Sequence, residues 1–218
     1  MPHQHDRRTF ITALGGAAAF AAASSAEAAE AQARSATASG IDITWFDAFK
    51  GKHKQVFDLG SFDLSVDTPL RQVVTFLAAH REVNRLEPPD DINVTVGISH
   101  KAFAMNASDA LWEKYALGEH WRIKDPDTGK PSVRNFFVDG PVAGPATVRA
   151  LQARGIAFWQ CNFSIAAIAR ELSAKTGGKA EDIQADLAAG LRPGVRIVPA
   201  HTWAIGFVQE RGFTYMKL

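Results

Sequence analysis

An α/β domain, with a mainly parallel five-stranded sheet covered by helices on both faces, is the fold this sequence predicts. Two observations predict it. Strand-like runs at 55–59, 92–98, 156–160, 195–198 and 213–217 alternate with segments that carry helical periodicity or helix start and stop signals. The run Ile156–Gln160 is also nearly continuous in apolar residues, the pattern of a strand buried on both faces.

Gln55–Leu59 is the first expected strand. Thr68 as N-cap and Pro69 at the first helical position open a helix. Its Leu70, Val73, Val74 and Leu77 form an i, i+3, i+4, i+7 stripe, and Pro88-Pro89 stop it. In the second strand, Ile92–Ile98, the residues Val94, Val96 and Ile98 alternate. Ser108 and Asp109 open a helix with Leu111, Trp112 and Tyr115 on one face. Gly144-Pro145 opens another, which Gly155 ends. After the strand at 156–160, Asn162 or Ser164 caps a helix carrying Ile165, Ile168 and Leu172. Gly177-Gly178 breaks the chain. A short helix over Ala180–Ala189, the strand Val195–Val198, a helix over Thr202–Glu210 and the strand Phe213–Lys217 complete the alternation. One excursion departs from it. His120–Lys124 and Ser132–Val138 flank Asp125-Pro126-Asp127-Thr128-Gly129, five strong turn formers. This predicts a β-hairpin insertion within 118–142, serving as a lid, an oligomer contact or a solvated loop.

Composition bounds the function. The 218 residues are 46% hydrophobic and 22% charged, which is globular composition. Lys plus Arg is 24 and Asp plus Glu is 23, so neither a nucleic-acid surface nor an acidic tail is indicated. The five tryptophans come with no basic stripe and read as core and interface residues. Cys161 is the single cysteine, which excludes an intramolecular disulfide and zinc sites built on several thiolates. The Gly-x-Gly-x-x-Gly, Gly-x-x-x-x-Gly-Lys-Ser/Thr and Gly-x-Ser-x-Gly motifs are all missing. Dinucleotide, nucleoside triphosphate and serine-hydrolase readings therefore lack their usual support.

The N-terminus reads as an export signal. Arg7-Arg8 precede Thr9-Phe10-Ile11, a mildly apolar Ala/Gly-rich stretch runs from Ala13 to Ala23, and Ala26-Glu27-Ala28 offers a small-x-small cleavage site. This layout is that of a twin-arginine signal peptide over 1–28. A leader or linker over 29–52 and one domain over 53–218 follow. The apolar stretch falls short of the roughly 20 residues that span a bilayer, so no membrane span is expected after cleavage. The expected location is the periplasm, an oxidising compartment for a lone thiol.

In an open parallel sheet, ligands bind beyond the carboxyl ends of the strands. Three strand ends there lead into chemically capable side chains: His100 after the second, Cys161 after the third and His201 after the fourth. Cys161 also directly precedes a helix, whose exposed amides favour the thiolate over a thiol of free pKa about 8.5. His100 or His201 could orient or deprotonate it, or all three could hold one soft metal ion, copper or zinc. A small buried core cysteine and packing histidines are the bland alternatives. His53, His80 and His120 have no comparable placement.

The segment Arg154-Gly155-Ile156-Ala157-Phe158-Trp159-Gln160-Cys161-Asn162 resembles the DsrE-like family of small sulfur-relay proteins (the DsrE, DsrF and TusD kind). There too a helix ends in Gly, a buried strand follows, and a cysteine sits at the strand-to-helix turn. Leu191-Arg192-Pro193-Gly194-Val195-Arg196-Ile197-Val198-Pro199 and Gln209-Glu210-Arg211-Gly212-Phe213-Thr214-Tyr215-Met216-Lys217 resemble two further family strands with their lead-ins. The resemblance covers roughly 54–218 outside the insertion. It implies a three-layer α/β/α fold and assembly into trimers or hexamers. It also implies a cysteine, here Cys161, that carries a persulfide between a sulfur donor and an acceptor protein. His100 stands where relatives often have His-Gly, but Lys101 replaces the Gly; the resemblance assigns His201 nothing. No cofactor is expected beyond the possible metal ion. Any enzymatic activity would be sulfurtransferase-like. The expectation from a different class is a non-catalytic oligomeric binding or scaffold protein.

Overall fold

The computed structural model describes residues 40–60, 69–140 and 144–218. The expected signal peptide over 1–28, and Thr68 as a cap, lie outside the described residues. By its contacts the chain divides at Ile43/Thr44, and the folded unit described below is Thr44–Leu218.

The sheet has five strands: β1 (His53–Leu59), β2 (Ile92–Ile98), β3 (Ala157–Cys161), β4 (Val195–Val198) and β5 (Thr214–Lys217). Their order is β4-β3-β2-β1-β5, and every neighbouring pair is parallel. The helices are α1 (Leu70–Asn84), α2 (Phe103–Asn106), α3 (Asp109–Lys114), α4 (Leu117–Trp121), α5 (Val148–Ala153), α6 (Asn162–Thr176), α7 (Ala180–Ala189) and α8 (His201–Gln209). The result is a three-layer α/β/α domain, as predicted. On one face Phe57, Leu59, Val94, Val96, Ile98 and Phe158 pack with Leu70, Val73 and Leu77 of α1 and with Ile165, Ile168 and Leu172 of α6. On the other, Trp159 meets Phe46 at 5.8 Å between ring centroids, and Phe46 meets Phe207 of α8 at 5.1 Å.

Several local expectations need correction. Residues 44–52 are not leader: Thr44–Ala48 forms a 3-10 helix, and Phe46 is buried against β3 and α8. α1 ends before Pro88-Pro89, at Arg85, which takes a left-handed φ of 60° and closes the helix through its N–H to Arg81 O. α6 is capped by neither Asn162 nor Ser164 but by Cys161. The expected hairpin is reduced to one antiparallel bridge, Lys124 with Pro131. The physical reasons are local. Pro131 has no N–H to extend a ladder. His120 is drawn into α4, and Asp125 folds the turn onto itself by accepting the N–H groups of Asp127 and Thr128. The segment is neither loose nor wholly solvated. Arg134 Nε donates to Asp125 Oδ2 at 2.7 Å, and the Asn135 side chain donates to the Met105 and Ala107 carbonyls.

Gly97, in the middle of β2, is required by packing. A Cβ there would lie 2.5 to 2.7 Å from three atoms of the Trp159 indole. Without one, the indole can lie against β2. Gly97→Ala is therefore expected to destabilise the protein by about 1–3 kcal/mol through overpacking. A urea midpoint equal to that of the wild type would show that the indole yields at no cost.

Candidate functional site

Parallel strands bring their carboxyl ends to one edge, and the sequence puts polar or reactive residues there. β3 ends in Cys161 and enters α6 directly. β4 leads through Pro199-Ala200 to His201, the first residue of α8. β2 leads through Ser99 to His100, which takes a left-handed φ of 48°. A cleft of about 900 Å³ opens at this edge, and Cys161, His100 and His201 all line it. Ser99, Ser164 and Glu171 add polar wall; Trp121, Phe163 and Ile168 add apolar wall. Phe163 is 71% exposed, whereas Cys161 is only 4% exposed.

Two helix N-termini converge on the thiol. Cys161 Sγ accepts the N–H of Ser164, 3.4 Å away in the first turn of α6. It also accepts the N–H of His201, 3.3 Å away at the start of α8. These amides have no partner within their own helices, so the sulfur satisfies them. Ser164 braces the neighbouring strand end as well, since its Oγ accepts the His100 N–H at 3.1 Å.

Among the described residues, neither histidine ring is hydrogen-bonded to the thiol. His100 Nδ1 pairs with Ser99 Oγ at 3.1 Å. His201 meets the sulfur through its backbone, while its ring is engaged elsewhere. The Trp159 indole N–H donates to His201 Nδ1 at 3.3 Å, which leaves the ring proton on Nε2 to donate to Asp58 Oδ1 at 2.6 Å. Tyr215 of β5 donates to Asp58 Oδ2 at 2.8 Å. Sequence reasoning missed Asp58, Trp159 and Tyr215 as neighbours of the site. A signal was available for the first: Asp58 is a carboxylate among the apolar Val56, Phe57 and Leu59 at the carboxyl end of β1, the same edge as Cys161.

Burial acts to raise the Asp58 pKa. The hydrogen bonds from His201 and Tyr215, with the charge of Lys217, outweigh it and hold the carboxyl below its ordinary range. The same bond raises the Tyr215 phenol. A carboxylate whose folded pKa is depressed adds stability above its unfolded pKa, about 3.9, and loses it as pH falls through the folded value. The stability gap between wild type and Asp58→Asn should therefore be widest near pH 7 and narrow below about pH 4. Chemical denaturation at several pH values reads this; a gap independent of pH would mean the carboxylate charge is not used.

Among the described residues, no three His, Cys, Asp or Glu side chains stand together as a group able to hold a metal ion. No described helix is long and apolar enough to cross a membrane.

No family model matches the chain, and no curated protein matches it. Among solved structures, the chain is similar to a protein of unknown function from Methanobacterium thermoautotrophicum. The two are 15% identical with a TM-score of 0.39, over 77% of this chain and 100% of that one.

Proposed function

We propose that this protein carries sulfane sulfur, with Cys161 as the carrier thiol. The observation that supports this reading best is the pair of N–H groups, from two helices, that converge on Cys161 Sγ in the wall of a cleft. In the loading step the Cys161 thiolate attacks the sulfane sulfur of a donor persulfide. The donor S–S bond breaks, its thiolate leaves with the electron pair, and an S–S bond forms on Cys161. One sulfur atom has moved between thiolates with no outside oxidant. Unloading is the same exchange on an acceptor thiolate. The resemblance of segments 154–162, 191–199 and 209–217 to DsrE-like sulfur-relay proteins points the same way. Phe163, exposed at the cleft, offers a donor or acceptor protein an apolar contact beside the thiol.

Intact mass of the purified protein, with and without prior reduction, tests the reading. A reducible gain of about 32 Da per carried sulfur, and rapid alkylation of the native thiol, are expected. A bound copper or zinc ion instead would turn the reading to soft-metal binding. The 4% exposure of Cys161 favours a second reading, a scaffold protein in which the cysteine fills space. Resistance to alkylation until the chain unfolds would establish that one.

The proposal extends to location and assembly: a periplasmic protein, exported through its twin-arginine signal and self-associating as a trimer or hexamer. All four residues of β5 are exposed, and β5 forms one edge of the sheet, leaving a row of backbone groups for another chain to pair. Light scattering at micromolar concentration should report three or six chains; a monomer would refute the assembly.

A further inference from the structure

A second cleft, of about 300 Å³, shares no lining residue with the one at Cys161. Its wall is rich in charge: Arg134, Arg149 and Arg192 face it, with Asp109, Asp139 and Ser108. Most of these groups already have partners. Arg134 is paired with Asp125 and Asp127, which do not line the cleft. Arg149 grips both oxygens of Asp139. Asp109 Oδ1 accepts the Asn135 N–H at 2.6 Å.

Arg192 is the exception. It is about nine-tenths buried, at 9% exposure. Its Nη2 donates to the neutral Gln152 Oε1 at 2.9 Å, and its Nη1 is buried with no hydrogen-bond partner among the described residues. No carboxylate among the described residues comes within ion-pair distance of it. Burial pushes its pKa down and the charge of Arg149 adds to that, against the opposing charges of Asp139 and Asp109. Ser108 stands before α3 without capping it, and among the described residues its hydroxyl donates to nothing. A buried guanidinium with idle N–H groups is costly, and the cost is recovered when a charged acceptor arrives. A water molecule could satisfy the N–H groups but not the charge.

We infer that this cleft binds a small oxyanion, of the carboxylate, phosphate or sulfate kind, held by Arg192 with help from the Ser108 hydroxyl. The size suits such a ligand, and the two carboxylates in the wall already accept, Asp139 from Arg149 and Asp109 from the Asn135 N–H. The inference is independent of the chemistry at Cys161.

Calorimetric titration of the full chain with inorganic phosphate, and separately with acetate, at fixed ionic strength tests it. At least one probe should bind saturably, one per chain. Arg192→Gln should weaken that binding at least tenfold, and Ser108→Ala by about fivefold, the loss of one ordinary hydrogen bond. Arg192→Lys should fall between wild type and Arg192→Gln, keeping the charge but losing the fork. Saturation by neither probe would overturn the inference. So would unchanged affinity in Arg192→Gln with the far-ultraviolet dichroism of the wild type. Should Arg192→Gln fail to fold, Ser108→Ala decides: affinity equal to the wild type overturns the site.

Discussion

Cys161→Ser should abolish persulfide loading and alkylation outright while leaving the protein folded. The loss is complete because the chain has no other cysteine to take over. Folding should survive because serine is nearly the same shape, and its oxygen can accept the Ser164 and His201 N–H groups that the sulfur now accepts. Serine is also among the best residues at a helix N-cap, so the change in stability should be about 1 kcal/mol or less. His201→Ala should reduce loading only in part. It keeps the backbone N–H on the sulfur but frees Asp58 and Trp159, so the start of α8 is less firmly held. His100→Ala should act more weakly still, since among the described residues its ring bonds only Ser99 Oγ. Mass spectrometry after incubation with a low-molecular-weight persulfide, beside a denaturant melt, reads both quantities. A destabilised Cys161→Ser protein, together with a wild-type thiol that is silent until unfolding, would hand the case to core packing.

Replacing Arg7-Arg8 by Lys-Lys should strand the precursor in the cytoplasm. An address of this kind is read by a receptor that needs the arginine pair, so the expected effect is all or none rather than graded. Cell fractionation with an antibody against the protein gives the answer. Continued export of the double variant would remove the twin-arginine reading. A mature N-terminus far from Ala28 would move the cleavage site and leave the route intact. The two experiments also bear on each other: a lone thiol in an oxidising compartment must be shielded or used, and Cys161 is both shielded from bulk water and engaged by two amides.

Much of the fold was legible because hydrophobic period and turn residues are local properties. Ile92–Ile98 and Ala180–Ala189 have the expected limits, and β1, β3, β4 and β5 begin and end within two residues of the expected ones. Failures came where tertiary contacts override local signals. Phe103–Asn106 and Leu117–Trp121 are too short to show a helical period, yet packing makes them helical. The hairpin was misjudged because turn formers report a bend and not the length of the ladder behind it. At the site, strand-end logic brought Cys161, His100 and His201 to one cleft. It could not supply the partners of His201. Trp159 reaches the ring from β3, one strand removed from β4, and only because Gly97 lacks a side chain. Tyr215 reaches Asp58 only because β5 lies beside β1, a neighbour relation that no local pattern encodes.

That last relation sets where the fold is weakest. Gln55 of β1 pairs with Val94 on one side, 39 residues away, and with Thr214 on the other, 159 residues away. The longer closure spans about four times as much chain, two doublings, and so costs about 1.2 kcal/mol more in loop entropy. β5 returns little for it, since all four of its residues are exposed. The strand that clamps Asp58, and through it the ring of His201, is therefore the least firmly held of the five. As the domain warms, Tyr215 is expected to leave Asp58 before β3 opens, while the His201 ring keeps its bonds to Asp58 on β1 and to Trp159 on β3. The expected consequence is a range of temperature in which Cys161 is still seated at its two amides and Asp58 is held by His201 without the Tyr215 hydroxyl.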